Sequence, residues 1–221
     1  MALVTADVTT ESKVIFPEMA HLYYQAPDEV NPADFVRASM AIPGFFQPFQ
    51  VFDLPGAGQL GGATWESHTG YCGQVPESVC FIDGGILSNF PIDLFHRYYH
   101  VPACPTFGIK LGPERNRPNR TDKFTHLLGN IFATARHGHD YDFIARNPDF
   151  RHLVSYTDTS RFHWLDFSLD EAAKQALFAE GARAAADFVA RFDWAGYKEV
   201  RCQLRKAYQV TAALAPSAHS A

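Results

Sequence analysis

The run Ser78-Val79-Cys80-Phe81-Ile82 is short and apolar, and it stops on Asp83-Gly84-Gly85. An apolar β-favouring run bounded by glycines reads as a strand that ends in a turn. In an α/β sheet, reactive groups gather where strands finish. Two glycines after such a carboxylate leave room for another backbone or a substrate to come close. Burial and nearby donors can tune a carboxylate so placed toward general-base work. Taken alone, though, Asp-Gly is a common turn sequence, and a plain turn is the default reading.

The rest of the chain supplies the elements around that strand. Residues 2–9 are apolar and β-favouring and read as a buried strand near the first residue. Asn31-Pro32 opens a helix, with asparagine as cap and proline at the first helical position. That helix is expected to reach about Met40 and to end before Pro43, because the residue before a proline resists helical geometry. Residues 54–76, rich in Gly, Ser and Thr, read as a long surface loop, residues 91–99 as a helix and residues 106–111 as the next strand. Strands separated by helices favour a parallel sheet. Residues 112–120 are polar and turn-rich and mark a seam, after which the character is helical. Ser168 with Glu171 has the spacing of a capping box. Ala173, Leu177, Gly181, Ala184, Phe188 and Phe192 then recur as one face of an amphipathic helix, and residues 197–210 form a second helix. The tail beyond Ala213 is expected to fray.

Composition narrows the function classes. At 221 residues with 47% hydrophobic and 19% charged content, the chain suits one sizeable globular unit. A net charge of -5 gives no general attraction to phosphate backbones, so no nucleic-acid partner is expected. No apolar run approaches the roughly 20 residues of a membrane span, and no basic, apolar signal peptide opens the sequence. The chain therefore reads as cytoplasmic. Cys72, Cys80, Cys104 and Cys202 form no C-x-x-C pair. A Cys72–Cys80 disulfide is conceivable, but reduced thiols fit a non-secreted protein better, where the Asn119-Arg120-Thr121 sequon is also idle.

Two blocks carry a resemblance. Arg37-Ala38-Ser39-Met40-Ala41-Ile42-Pro43-Gly44-Phe45-Phe46-Gln47-Pro48 is followed, after a loop, by Phe81-Ile82-Asp83-Gly84-Gly85-Ile86-Leu87-Ser88-Asn89-Phe90-Pro91. Together they resemble the second half of the patatin-like phospholipase domain, where an A-S-x-A-x-P-G-x-F block precedes a D-G-G or D-G-A strand end and an N-x-P step. Thr5-Ala6-Asp7-Val8-Thr9-Thr10 is similar to the family's strand between the nucleophile helix and that A-S block. The resemblance implies a three-layer α/β/α fold with a mostly parallel sheet. Residues 1–97 would be the C-terminal half of the domain and residues 98–221 a helix-rich continuation of the same globular unit. It further implies hydrolysis of fatty-acyl esters, phospholipids or acylglycerols, by a Ser–Asp dyad without metal or cofactor. Asp83 matches the catalytic aspartate; Gly84 and Gly85 belong to the same motif and would shape its turn. A lipid substrate implies peripheral membrane contact, although no basic amphipathic helix announces it. The strings Asp140-Tyr141-Asp142-Phe143-Ile144, Trp164-Leu165-Asp166-Phe167 and Phe192-Asp193-Trp194 resemble a bacterial subgroup of the family and support no residue roles.

The family's nucleophile sits in G-x-S-x-G, and this sequence contains none. Ser39, Ser67 and Ser88 lack the flanking glycines, and Ser39 reads as a structural hydroxyl. Gly56-Ala57-Gly58-Gln59-Leu60-Gly61 matches a dinucleotide fingerprint in letters but lies after the A-S block and precedes no evident helix. Arg136-His137-Gly138-His139-Asp140 with Asp142 lacks zinc-site spacing and reads as a polar surface or domain contact, not a metal site. Phe45, Phe46 and Phe49 read by default as core, with a lipid channel as the alternative. The expected reading is a family fold whose first strands and nucleophile elbow lie upstream, and the alternative is a non-catalytic remnant or binding module. A sheet without those strands has an open edge, so the isolated chain is expected to self-associate. Sedimentation should show oligomers, and a monomer with one sharp melting transition is the contrary result.

Overall fold

The computed structural model describes every residue except 96, 98, 99, 113–117, 125, 128, 132, 136, 137, 139–146, 163–165 and 215–221, and describes 210–214 by backbone alone. The chain divides into two compact units: Met1–Pro91 with Arg120–Tyr141, and Ile92–Asn119 with Asp142–Ala221.

The first unit is built on a four-stranded sheet of β1 (Leu3–Asp7), β2 (Ser12–Phe16), β3 (Phe49–Phe52) and β4 (Ser78–Asp83). Its order is β2-β1-β4-β3, and every pairing in it is antiparallel. This corrects the expected mostly parallel sheet, although the mixed α/β class holds. One of these strands, β2, shows an alternation in Ser12-Lys13-Val14-Ile15-Phe16 that was not read as a strand. It follows β1 through a tight turn that forces antiparallel pairing. Among the helices that accompany the sheet are α1 (Ala20–Tyr23), α2 (Pro32–Ser39), α3 (Gly62–Thr69) and α4 (Gly85–Ser88). Helix α2 starts as expected, the Asn31 side chain accepting the Ala33 N–H at 3.0 Å. The region 54–76 is not the loop that its glycines suggest. It holds α3, whose Trp65 is buried in the core, and an isolated bridge between Leu60 and Gln74.

Aromatic rings make up much of the core of this unit. Phe16 stacks on Phe35 at 4.6 Å and meets Phe81 and Tyr23 edge-on at 5.5 and 5.9 Å. Tyr23 also meets Trp65 at 5.3 Å. These rings come from α1, α2, α3 and two strands, so one cluster fixes the helices to one face of the sheet. Edge-to-face packing of this kind adds about 0.5–1.5 kcal/mol per pair beyond the area buried.

One carboxylate lies inside this apolar setting. Asp7, 1% exposed, accepts the Thr9 N–H at 2.8 Å and the Thr10 hydroxyl at 2.7 Å, closing the β1–β2 turn. Burial raises its pKa above the ordinary 3.8, outweighing the hydrogen bonds that pull it down. Burial, and then the Asp7 charge, raise the Tyr23 phenol and the Cys80 thiol in turn.

The second unit contains a two-stranded parallel sheet, β5 (Gly108–Leu111) with β6 (Val154–Thr157), and two long helices, α5 (Glu171–Arg191) and α6 (Trp194–Leu214). Helix α5 is capped by Asp170, which accepts the Ala173 N–H at 2.8 Å; Ser168 bonds Asp166 instead, so the capping box is corrected to a single acidic cap. The face of Ala173, Leu177, Gly181, Ala184 and Phe188 is the half-buried one, as read from the sequence. Arg201 of α6 is 1% exposed, with Nη1 donating to Asp149 Oδ2 at 2.8 Å and Nη2 to the His100 carbonyl at 2.8 Å. Removing one member of such a buried pair strands the other charge, at a cost of about 3–5 kcal/mol. Of the helix expected over residues 91–99, Ile92–Phe95 form a 3-10 turn, and residues 96, 98 and 99 lie outside the described residues. The Arg136–Asp142 cluster and the strings at 140–144 and 164–165 fall wholly or largely outside the described residues.

The buried Asp7 makes stability depend on pH with a defined sign. Because the folded chain holds this proton more tightly than the unfolded chain, folding stability falls as pH rises from 3.8 through the raised value. Urea unfolding of the protein against Asp7→Asn should show the wild type losing ground over that window, and a difference that is flat or grows with pH would contradict the assignment.

Candidate functional site

Asp83 is the last residue of β4, a central strand, where it pairs with Thr5 of β1. Its side chain is half-buried. Val79 and Phe81, four and two positions back on the same face, are buried in the core at 1% and 0% exposure. The carboxylate is thus the next side chain in a core-facing row, at the point where the row leaves cover.

Three segments meet around it. The last carbonyls of a helix have no partner within the helix and must find one elsewhere. At the end of α2 those partners are the two central strands. The Thr5 hydroxyl lies 3.0 Å from the Ala38 carbonyl and 2.9 Å from that of Ile82, its one proton shared between them. The Gly84 N–H donates to the Ser39 carbonyl at 3.3 Å, and the Asp83 N–H to the Ala41 carbonyl at 3.0 Å. The Ser39 hydroxyl donates to the Val4 carbonyl at 2.7 Å, which gives it the structural role expected from the sequence. Ala38 and Ala41 are 0% and 1% exposed, because a larger side chain there would separate the helix end from the sheet. The A-S-x-A block and the D-G-G block are therefore two sides of one junction.

The two glycines do different work. A Cβ on Gly84 would lie 2.0 Å from the Val4 carbonyl oxygen, so the glycine is required by the approach of β1 and not by its own dihedral angles. A Cβ on Gly85 would lie 2.7 Å from Asp83 Oδ1 and 3.1 Å from Asn89 Oδ1. Without it, the Gly85 N–H donates to Asp83 Oδ1 at 2.5 Å and holds the carboxylate over the start of α4. Asn89 of the N-x-P step thus faces the same Gly85 position as the carboxylate. The sequence reading missed that proximity, whose signal was the spacing of Asp83, Gly85 and Asn89 across one short helical turn.

Other candidates are placed elsewhere. The G-x-G-x-x-G string does precede a helix, α3, which corrects the sequence reading; it follows β3, an antiparallel edge strand, so the dinucleotide context still fails. Among the described residues no group of three or more His, Cys, Asp or Glu could hold a metal ion. Cys72, Cys80, Cys104 and Cys202 are free thiols. Phe49 packs against the core, but Phe45 and Phe46 are 57% and 37% exposed, against the default reading of core residues. No helix among the described residues is long and apolar enough to cross a membrane.

Residues 2–96 match the family model described as patatin-like phospholipase. The chain is 29% identical over 185 residues to the uncharacterized protein YqhO of Bacillus subtilis (strain 168), an alignment that covers 83% of this chain and 55% of that protein. The chain thus spans about half the length of the curated relative it matches. No solved structure matches it.

The two motif glycines should separate on substitution. Gly84→Ala drives a methyl group into backbone and should lower the unfolding free energy by about 3 kcal/mol or more. Gly85→Ala meets only side-chain tips and should cost less than about 1 kcal/mol. Urea unfolding of both variants measures the difference, and equal costs would contradict the junction described above.

Proposed function

We propose that residues 2–96 form part of a patatin-like lipid acyl hydrolase in which Asp83 is the general base. The observation that carries this reading is the placement of Asp83 at the end of a central strand, held by the Gly85 N–H, in a segment that matches the patatin-like phospholipase family. A serine hydroxyl, supplied by a segment outside these 221 residues, attacks the carbonyl carbon of a fatty-acyl ester while Asp83 takes its proton. That proton passes to the departing alcohol, leaving an acyl-serine. Water then attacks the acyl carbon, giving its proton to Asp83, and the fatty acid leaves as the serine is restored. The substrates are phospholipids or acylglycerols, and the chemistry uses no metal or cofactor.

A second reading is favoured by one observation, the lack of any G-x-S-x-G in the sequence. In it the chain is a binding module that keeps the fold but not the reaction. In-frame coding sequence upstream for a G-x-S-x-G segment selects hydrolysis.

Two measurements test the dyad. In the protein carrying the serine segment, Asp83→Asn should lower p-nitrophenyl ester hydrolysis by about 10²–10⁴-fold, the usual share of a general base. Unchanged turnover rejects the assignment. A fluorophosphonate probe should leave the 221-residue chain unlabelled, and labelling would reveal a nucleophile within it.

A further inference from the structure

We propose that the groove formed by Met40, Ala41, Phe45, Phe46 and Gln47 is the acyl-chain subsite of the hydrolase, a proposal that rests on the function given above. The groove has a volume of about 300 Å³ and is walled on one side by Arg37. That lies at the lower end of the roughly 300–1,000 Å³ range of ligand pockets.

Four observations favour an acyl chain over other occupants. First, the groove and the candidate base share a residue: Ala41, in the groove wall, accepts the backbone N–H of Asp83 at 3.0 Å. The groove wall is thereby hydrogen-bonded to the backbone of the candidate base. Second, the lining is thioether and aromatic. Met40 is 47%, Phe45 57% and Phe46 37% exposed, whereas Phe16, Tyr23, Phe35, Trp65 and Phe81 are buried in the core. Methionine and phenylalanine adapt to a flexible hydrocarbon without needing a polar partner. Third, the wall is firm: the Arg37 guanidinium lies over the Phe49 ring at 5.3 Å, and Phe49 packs against the core. Fourth, Gly44 has a φ of +84°, which favours glycine and turns the chain between Pro43 and Phe45. The two phenylalanines are thereby carried by a defined turn directly after the helix that braces Asp83.

The occupant is a saturated or unsaturated hydrocarbon chain and not the ester head. Each methylene placed in the groove should tighten binding by roughly fourfold until the groove is full.

The test is direct binding to the 221-residue chain, with no need for turnover. Fluorescence titration with 11-(dansylamino)undecanoic acid should show saturable binding, and dansylglycine, which has the fluorophore without the chain, should not bind. Phe45→Ser and Met40→Gln should each weaken the undecanoic probe by about tenfold or more. Phe178→Ser, at an exposed position on α5, should leave it unchanged. Because Phe45 and Met40 are largely exposed, both variants should melt as the wild type does, which circular dichroism checks. Absence of probe binding, equal binding of dansylglycine, or full affinity in both groove variants overturns the subsite. Asp83→Asn should bind the probe normally. If it does and yet keeps its esterase activity in the longer protein, the general base is wrong while the groove stands. If Asp83→Asn abolishes hydrolysis but the groove variants bind as wild type, the groove alone falls.

Discussion

The first unit depends on how the carbonyl end of one helix is satisfied. Helix α2 and the residues just after it deliver the Ala38, Ser39 and Ala41 carbonyls to the two central strands, and donors from Thr5, Asp83 and Gly84 meet them. The backbone N–H groups of Asp83 and Gly84 find acceptors there, and the Thr5 hydroxyl bridges the helix end to the Ile82 carbonyl, so helix and strands must arrive together. The tight backbone approach at Val4 and Gly84 follows, since only there do the hydrogen bonds reach. A carboxylate placed one residue from such a junction inherits its rigidity. Binding constellations need that kind of support, because an ångström of slack at a reacting group is expensive.

Local chemistry made much of this readable from the sequence. The Asn31-Pro32 helix start, the β4 run ending at Asp83 and the half-buried face of α5 all depend on neighbours within a few positions, and all three are where the letters put them. What stayed hidden depended on distant partners. Trp65 is buried by Tyr23 and the sheet, so α3 forms inside a stretch whose composition argues for a loop. Strand β2 is short, and it is held by its antiparallel pairing with β1. Phe45 and Phe46 look like core by residue type, and only their position beyond the Gly44 turn leaves them open to solvent. At the candidate site, the identities of Asp83, Gly84 and Gly85 were legible, whereas the separate duties of the two glycines were not. One answers to a backbone from residue 4, the other to the carboxylate itself.

The second unit follows a different plan. Its sheet is a single parallel pair, and its helix α6 is anchored through the buried Arg201 to Asp149 and to the segment around His100. An ion pair in that position gives less net stability than packed hydrocarbon would, but it demands one geometry. The wide spacing of its members along the chain ties the start of the unit to its last described helix. Phe107 meets Phe188 and Phe192 at 5.1 and 4.8 Å, extending the contact of α5 with the β5 side.

Side chains on a strand alternate, and Val79, Phe81 and Asp83 fall on one side of β4. The acid's location is therefore a matter of counting: it is where an otherwise greasy stripe first meets water. Sliding the strand by a single residue would hand that location to Ile82 and swing the carboxylate to the opposite surface. Whatever chemistry the acid performs is consequently guarded by residues that never touch it, and the bulk of Phe81 fixes its address as firmly as any neighbour in the cleft.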